Sequence, residues 1–96
     1  MEIQAKHIIV HGRVQGVGFR YFVQKAGLKR GLTGDARNCQ DGTVEIVVEG
    51  DAAEIAGFLK DVERGPALSR VERVNVTDVP AQGEYDTFLV EGGKTK

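Results

Sequence analysis

The spacing of apolar residues along the 96-residue chain changes repeatedly between a period of about two and a period of about 3.6 residues. Alternation at the shorter period predicts strands over residues 3–11, 35–40, 43–49 and 70–79, and a short last one over 85–91. The longer period predicts a helix from Phe19 and a second one after Asp51, which with Glu54 resembles a capping box. The resulting order is βαββαβ, and we expect the short final segment to pair at an edge of the sheet or to continue it.

Each predicted helix has a single apolar stripe. Two such helices can cover only one face of an antiparallel sheet. The sequence therefore predicts an α+β fold, a ferredoxin-like βαββαβ sandwich in which an antiparallel sheet carries both helices on one face. This fold supports many functions, so it does not decide between them. The residues of the two stripes are Phe19, Phe22, Val23, Ala26 and Gly27 in the first helix and Ile55, Phe58, Leu59 and Val62 in the second.

Length and composition indicate one globular domain over residues 1–96. No apolar run approaches the roughly 20 residues that span a bilayer, so a membrane partner is not expected. The first residues lack the features of a signal peptide. The single cysteine, Cys39, cannot form an internal disulfide, and this favours a cytoplasmic location.

The net charge of −1 is unevenly distributed. Residues 1–40 contain seven Lys/Arg and two Asp/Glu, whereas residues 41–96 contain six and twelve. This asymmetry is compatible with an ordinary solvated surface, or with an anion site built from the N-terminal half. The pI near 6.1 and the small number of aromatic residues argue against a nucleic-acid surface.

Residues 12–20 run from a predicted strand through a glycine-rich loop into the start of a helix. Free amides at a helix N-terminus, together with glycines that let successive amides turn inward, favour a bound anion. Arg20 would oppose the helix dipole unless an anion lies beside it or its side chain bends away into solvent. The segment lacks the Gly-Lys-Ser/Thr ending of a P-loop and also lacks a cysteine nucleophile.

Asn38 precedes the predicted turn at Asp41-Gly42. A carboxamide both donates and accepts hydrogen bonds, so it could hold a water and a substrate oxygen without adding negative charge. The alternative is an asparagine that only stabilises the turn. His7 and His11 have no third ligand in the sequence pattern, and we interpret them as surface residues.

The sequence of residues 12–20, Gly-Arg-Val-Gln-Gly-Val-Gly-Phe-Arg, closely resembles the first signature of acylphosphatases. The second signature of that family is also matched in its spacing, and the resemblance covers nearly the whole chain. The residues that match the second signature are Gly34, Asn38, Gly42, Val44 and Gly50.

The resemblance implies hydrolysis of an acyl phosphate, a small molecule, to a carboxylate and inorganic phosphate without metal or cofactor. Nothing in the sequence demands more than a monomer. It implies that Arg20 binds the phosphate and that Asn38 positions the attacking water. It also implies that backbone amides of one segment form the phosphate cradle. The residues of this segment are Gln15, Gly16, Val17, Gly18, Phe19 and Arg20.

The chain departs from the family pattern at two places. Asp35 and Ala36 stand where an aromatic and an aliphatic residue are usual, and Val90 is followed by Glu91-Gly92-Gly93 instead of a basic or aromatic residue. We expect Asp35 to weaken the fold or to loosen the placement of Asn38. Three alternatives to the free-standing enzyme remain: a non-catalytic anion- or RNA-binding ferredoxin-like module, the first domain of a larger carbamoyl-transfer maturation protein, and a former enzyme that only binds phosphate.

Overall fold

The computed structural model describes residues 2–91. Two helices pack on a five-stranded sheet, in the element order predicted from the hydrophobic pattern. The strands are β1 (Ile3–Arg13), β2 (Thr33–Asn38), β3 (Val44–Asp51), β4 (Arg70–Val79) and β5 (Phe88–Val90), and the helices are α1 (Phe19–Lys29) and α2 (Ala52–Arg64).

The sheet has the strand order β4-β1-β3-β2-β5. The first four strands form antiparallel pairs, as expected, but β5 pairs with β2 in parallel, so the sheet as a whole is mixed. The last strand does lie at an edge, and it is shorter than the predicted 85–91. Residues 80–87 lead from β4 at one edge to β5 at the other. This connection crosses the sheet, so β4 and β5 are consecutive in the chain although they lie at opposite edges.

The core lies between the helices and one face of the sheet. Ile8, Val10, Ile46 and Val48 point from the sheet into this layer, where the predicted helix stripes meet them. The predicted stripes are confirmed, since Phe19, Val23 and Gly27 of α1 and Ile55, Phe58 and Val62 of α2 are all buried. This packing fixes both ends of α1 relative to the strands that precede and follow it.

The predicted capping box at the start of α2 does not form. Asp51 occupies the N-cap position, but its side chain makes no capping hydrogen bond. The carboxylate of Glu54 instead accepts a hydrogen bond from Nη1 of Arg30, at 3.2 Å. An ion pair between the two helices has thus replaced a contact within one of them.

Candidate active site

The loop between β1 and α1 is held at both ends by buried side chains. Val14 and Phe19 are each 1% exposed and belong to the main core cluster. Between them, Gly16 and Gly18 have φ angles of 73° and 77°, a region that disfavours side chains. A Cβ atom at either glycine would meet nothing within 4 Å. The glycines therefore serve the backbone conformation, and the space beside the loop is open.

The N-terminus of α1 has no side-chain capping hydrogen bond. Gly18 is the N-cap residue, and it provides no side chain to accept from the first amides. The first turn contains no acidic residue. The earliest backbone bond of the helix joins the amide of Phe22 to the carbonyl of Gly18, at 3.0 Å. Amides of the preceding residues are thus available to an anion, which the helix dipole also favours.

Arg20, the second residue of α1, is half-buried, and its Nη1 donates to the main-chain carbonyl of Glu91. Among residues 2–91, no carboxylate forms an ion pair with this guanidinium. A carbonyl group orients the guanidinium without neutralising its charge. Donor groups of Arg20 remain for an anion in a bidentate contact.

Asn38 is the last residue of β2. Its Oδ1 atom is buried and has no hydrogen-bond partner in the part of the chain that the structure describes. Buried polar atoms in folded proteins are nearly always hydrogen-bonded, so an unpaired one calls for a ligand or a water. The free Oδ1 is therefore consistent with a side chain that acts on a bound molecule, rather than with one that only stabilises its own turn.

Gln15 ties the loop to the hairpin that follows Asn38. Its Nε2 atom donates to the carbonyl oxygens of Cys39, at 2.8 Å, and Thr43, at 2.9 Å. The hairpin is closed by Asp41, whose Oδ1 accepts from the amide of Thr43 at 3.0 Å and from its hydroxyl at 2.6 Å. These bonds lower the pKa of Asp41. No pattern in the sequence predicted this role for the side chain of Gln15.

Arg20 and Asn38 lie at the same end of β2. Glu91, which accepts the hydrogen bond from Arg20, donates its amide to the carbonyl of Ala36 at 3.0 Å, two residues before Asn38. On the other side of Asn38, Cys39 accepts the bond from Gln15. The structure therefore brings together the loop, the arginine and the asparagine that the sequence singled out.

The remaining candidates lie outside this arrangement. Nε2 of His7 lies 2.6 Å from the carboxylate of Glu45, and His11 contacts Asn75 and Arg73. Tyr21 is 63% exposed. No three His, Cys, Asp or Glu side chains within residues 2–91 are grouped closely enough to hold a metal ion. None of the helices in this part of the chain is long and apolar enough to cross a membrane.

Comparison with known proteins identifies the family. The acylphosphatase family model matches residues 6–90. The chain belongs to the acylphosphatase family. It is 50% identical over 87 residues to an acylphosphatase of Geobacillus thermodenitrificans, an alignment that covers 91% of this chain and 93% of the relative.

Two solved structures extend this comparison. The crystal structure of acylphosphatase from Bacillus subtilis superposes with a TM-score of 0.87 at 41% identity, covering 94% of this chain and 99% of the other. The crystal structure of HypF from T. kodakarensis gives a TM-score of 0.81 at 38% identity, but the match covers 93% of this chain and only 12% of HypF. The same fold therefore occurs alone and as a small part of a larger protein.

Proposed function

We propose that the chain hydrolyses acyl phosphates by holding the phosphate with Arg20 and the backbone amides of residues 15–20, while Asn38 positions the attacking water. The activity itself is that of the acylphosphatase family, to which nearly the whole length of the chain is matched. The observation that most supports the assignment of residues is the position of Arg20, the glycine loop and Asn38 at one end of β2.

The chemistry needs few groups. Water attacks phosphorus, the bond from phosphorus to the acyl oxygen breaks, and the electron pair leaves with the carboxylate, which needs no proton. The transition state is loose and spreads charge over three equatorial oxygens. A guanidinium and fixed amide donors stabilise this charge, and they are already oriented before the reaction begins. The proton that the water loses passes to a phosphate oxygen or to solvent.

Asn38 would orient the water without acting as a base. Its buried Oδ1, which has no partner among residues 2–91, can accept one hydrogen from the water. Because the carboxamide is neutral, it does not repel the phosphate as a carboxylate would. Loss of this group should therefore reduce turnover more than it reduces binding of phosphate.

Benzoyl phosphate hydrolysis tests these roles. Arg20→Ala should lower kcat/KM by about 100-fold or more, because it removes a charge that contacts the transferred phosphoryl group. Asn38→Ala should lower kcat and leave the inhibition constant of inorganic phosphate within about threefold of the parent value. Arg13→Ala is the matched control, since Arg13 is exposed and ends β1 just before the loop.

A parallel assay with EDTA checks whether turnover requires a metal ion, and we expect none to be required. Turnover by Arg20→Ala at the parent rate would show that the site is wrongly assigned. Equal losses in Arg13→Ala and Arg20→Ala would show that general charge near the loop, and not the position of Arg20, supports the reaction.

We further propose that residues 1–96 act as one domain, as a monomer in the cytoplasm, on a small-molecule acyl phosphate and not on nucleic acid. The fold supports this proposal in one respect. Cys39 is the single cysteine of the sequence, so the chain forms its core without an internal disulfide, as proteins of reducing compartments do.

A further inference from the structure

Asp35, on β2, is a fully buried carboxylate at 0% exposure. Its Oδ2 atom accepts two hydrogen bonds, from Nη2 of Arg37 at 2.7 Å and from the hydroxyl of Tyr85 at 3.1 Å. Its Oδ1 atom is buried without a partner in the part of the chain that the structure describes. Burying a carboxylate with one oxygen unpaired is unfavourable, and an apolar residue would often stabilise such a position better. An apolar residue could not accept the two hydrogen bonds, which hold Arg37 and Tyr85 in defined positions.

This carboxylate lies on the sheet face opposite the helices. Its neighbour Ala36 pairs with core residue Ile46, so Asp35, which pairs with Val47, points the other way. Residues 80–87 connect the two edges of the sheet, and two carboxylates attach this segment to β2 and β3. One is Asp35, through Tyr85, and the other is Glu49, which accepts from the amides of Gln82 and Gly83.

The contacts of Asp35 lead along β2 to Asn38. Asp35 and Arg37 are two residues apart on one face of the strand, and their ion pair restrains the last residues before Asn38. Asn38 has no protein partner at Oδ1 among residues 2–91, so the direction of this atom depends on the backbone that carries it. A restraint on the end of β2 is therefore also a restraint on the candidate water-positioning group.

We propose that Asp35 is a positioning residue, which fixes the end of β2 through Arg37 and Tyr85 and thereby aims Asn38. This inference rests on the role proposed above for Asn38. The contact with phosphate should depend less on Asp35, because β5, which leads to the partner of Arg20, has its own anchors. Phe88 is 1% exposed, and the bonds from Gly34 to Thr87 and from Glu91 to Ala36 are both 3.0 Å.

Two substitutions of Asp35 separate its hydrogen bonds from its packing. Asp35→Val removes both bonds and suits a buried strand, whereas Asp35→Asn keeps a carbonyl oxygen that can replace Oδ2 as the acceptor of both. For Asp35→Val we expect kcat on benzoyl phosphate to fall about three- to tenfold, with the inhibition constant of phosphate within about twofold and the thermal midpoint not lowered. For Asp35→Asn we expect kcat to match that of the parent.

Tyr85→Phe and Glu49→Ala complete the test. Tyr85→Phe keeps the ring and removes one of the two bonds, so its kcat should fall by a smaller factor, about twofold or more. Glu49→Ala releases the other attachment of residues 80–87, and its kcat should match that of the parent. An effect of Glu49→Ala equal to that of Asp35→Val would reduce the role of Asp35 to general support of this segment, which would overturn the proposal.

Parental kcat in Tyr85→Phe would also overturn the proposed positioning role of Asp35, whether or not Asp35→Val folds.

A different result would contradict the proposed catalytic roles. If Asn38→Ala retains parental kcat, Asn38 is not the water-positioning group. If Asn38→Ala loses turnover and Asp35→Val does not, the catalytic assignment stands and only the positioning role of Asp35 is lost.

Discussion

At the scale of single residues, Gln15 connects the two halves of the candidate site. Its amide nitrogen donates to both Cys39 and Thr43, so Gln15→Glu would place a carboxylate against two carbonyl oxygens. We expect this variant to lose about 1–3 kcal/mol of unfolding free energy, because each of the two part-buried carbonyl oxygens loses one of its two donors and meets a charge. Its kcat should also fall, since the hairpin after Asn38 is no longer held to the loop. Urea unfolding and benzoyl phosphate kinetics measure the two effects.

Gln4→Glu is the matched control for this substitution. The side chain of Gln4 donates to the exposed side chain of Glu2, so the same chemical change should cost no more than about 0.5 kcal/mol. Equal losses of stability in the two variants would mean that the bonds from Gln15 to Cys39 and Thr43 are not what the substitution costs. A stable Gln15→Glu variant with parental kcat would show that the loop and the hairpin need no such bond.

The sequence singled out Arg20 and Asn38 as candidate site residues, because both lie within motifs of recognisable spacing. It did not identify the partners that hold them. Gln15 reaches residues 24 and 28 positions away, and Asp35 meets Tyr85 from 50 positions away. Contacts at such separations depend on the tertiary fold, and local patterns do not predict them. For the same reason we expected Asp35 to weaken the fold or to loosen the placement of Asn38, whereas the structure gives its carboxylate two hydrogen-bonding partners.

At the scale of elements, two helical glycines allow different neighbours to approach. A Cβ atom at Gly27 would meet the ring of Phe88, and one at Gly57 would meet the guanidinium of Arg30. The ring is fixed in the core, whereas the arginine side chain is long, half-exposed and able to shift. Substitution by alanine also gains about 1 kcal/mol of helix propensity in either case. The two glycines therefore form a matched pair.

We expect Gly27→Ala to lower the unfolding free energy by about 1–2 kcal/mol, because overpacking of the core outweighs the gain in propensity. Gly57→Ala should leave stability unchanged or raise it by up to about 1 kcal/mol. Urea unfolding of the two variants under identical conditions measures the difference. A Gly27→Ala variant as stable as Gly57→Ala would mean that Phe88 can move within the core.

The elements themselves were largely predictable because each has one clear periodicity. Two predictions were wrong, and in both cases the reason is a contact made by the tertiary fold. The parallel pairing of β5 depends on the route of residues 80–87 across the sheet, which has no counterpart in local spacing. The expected capping contact of Glu54 gave way to Arg30, which comes from the end of the other helix and bonds Asp61 as well. A capping motif in the sequence indicates a local contact, and an ion pair formed in the tertiary structure can replace it.

At the scale of the whole molecule, the sheet has one apolar face under the helices and one polar face crossed by residues 80–87. The buried core belongs to the first face. On the second face, carboxylates attach the crossing segment to the sheet through Glu49 and Asp35. Attachment through the phenol of Tyr85, unlike attachment by apolar packing, should depend on pH. The segment therefore offers a way to test how much this face contributes to stability.

Tyr85 should make folding stability depend on pH in the alkaline range. Burial, with the nearby charge of Asp35 and the hydrogen bond to it, raises the pKa of Tyr85 from 10.0 to about 12. The folded protein thus favours the neutral phenol, and this contribution is fully present below pH 10 and is lost as the pH rises towards 12. Urea unfolding from about pH 8 to 11 should show a steeper loss of stability for the parent than for Tyr85→Phe. Tyr21→Phe, which removes an exposed phenol, should keep the parent's dependence. Parallel profiles for the parent and Tyr85→Phe would mean that the folded protein does not raise the pKa of Tyr85.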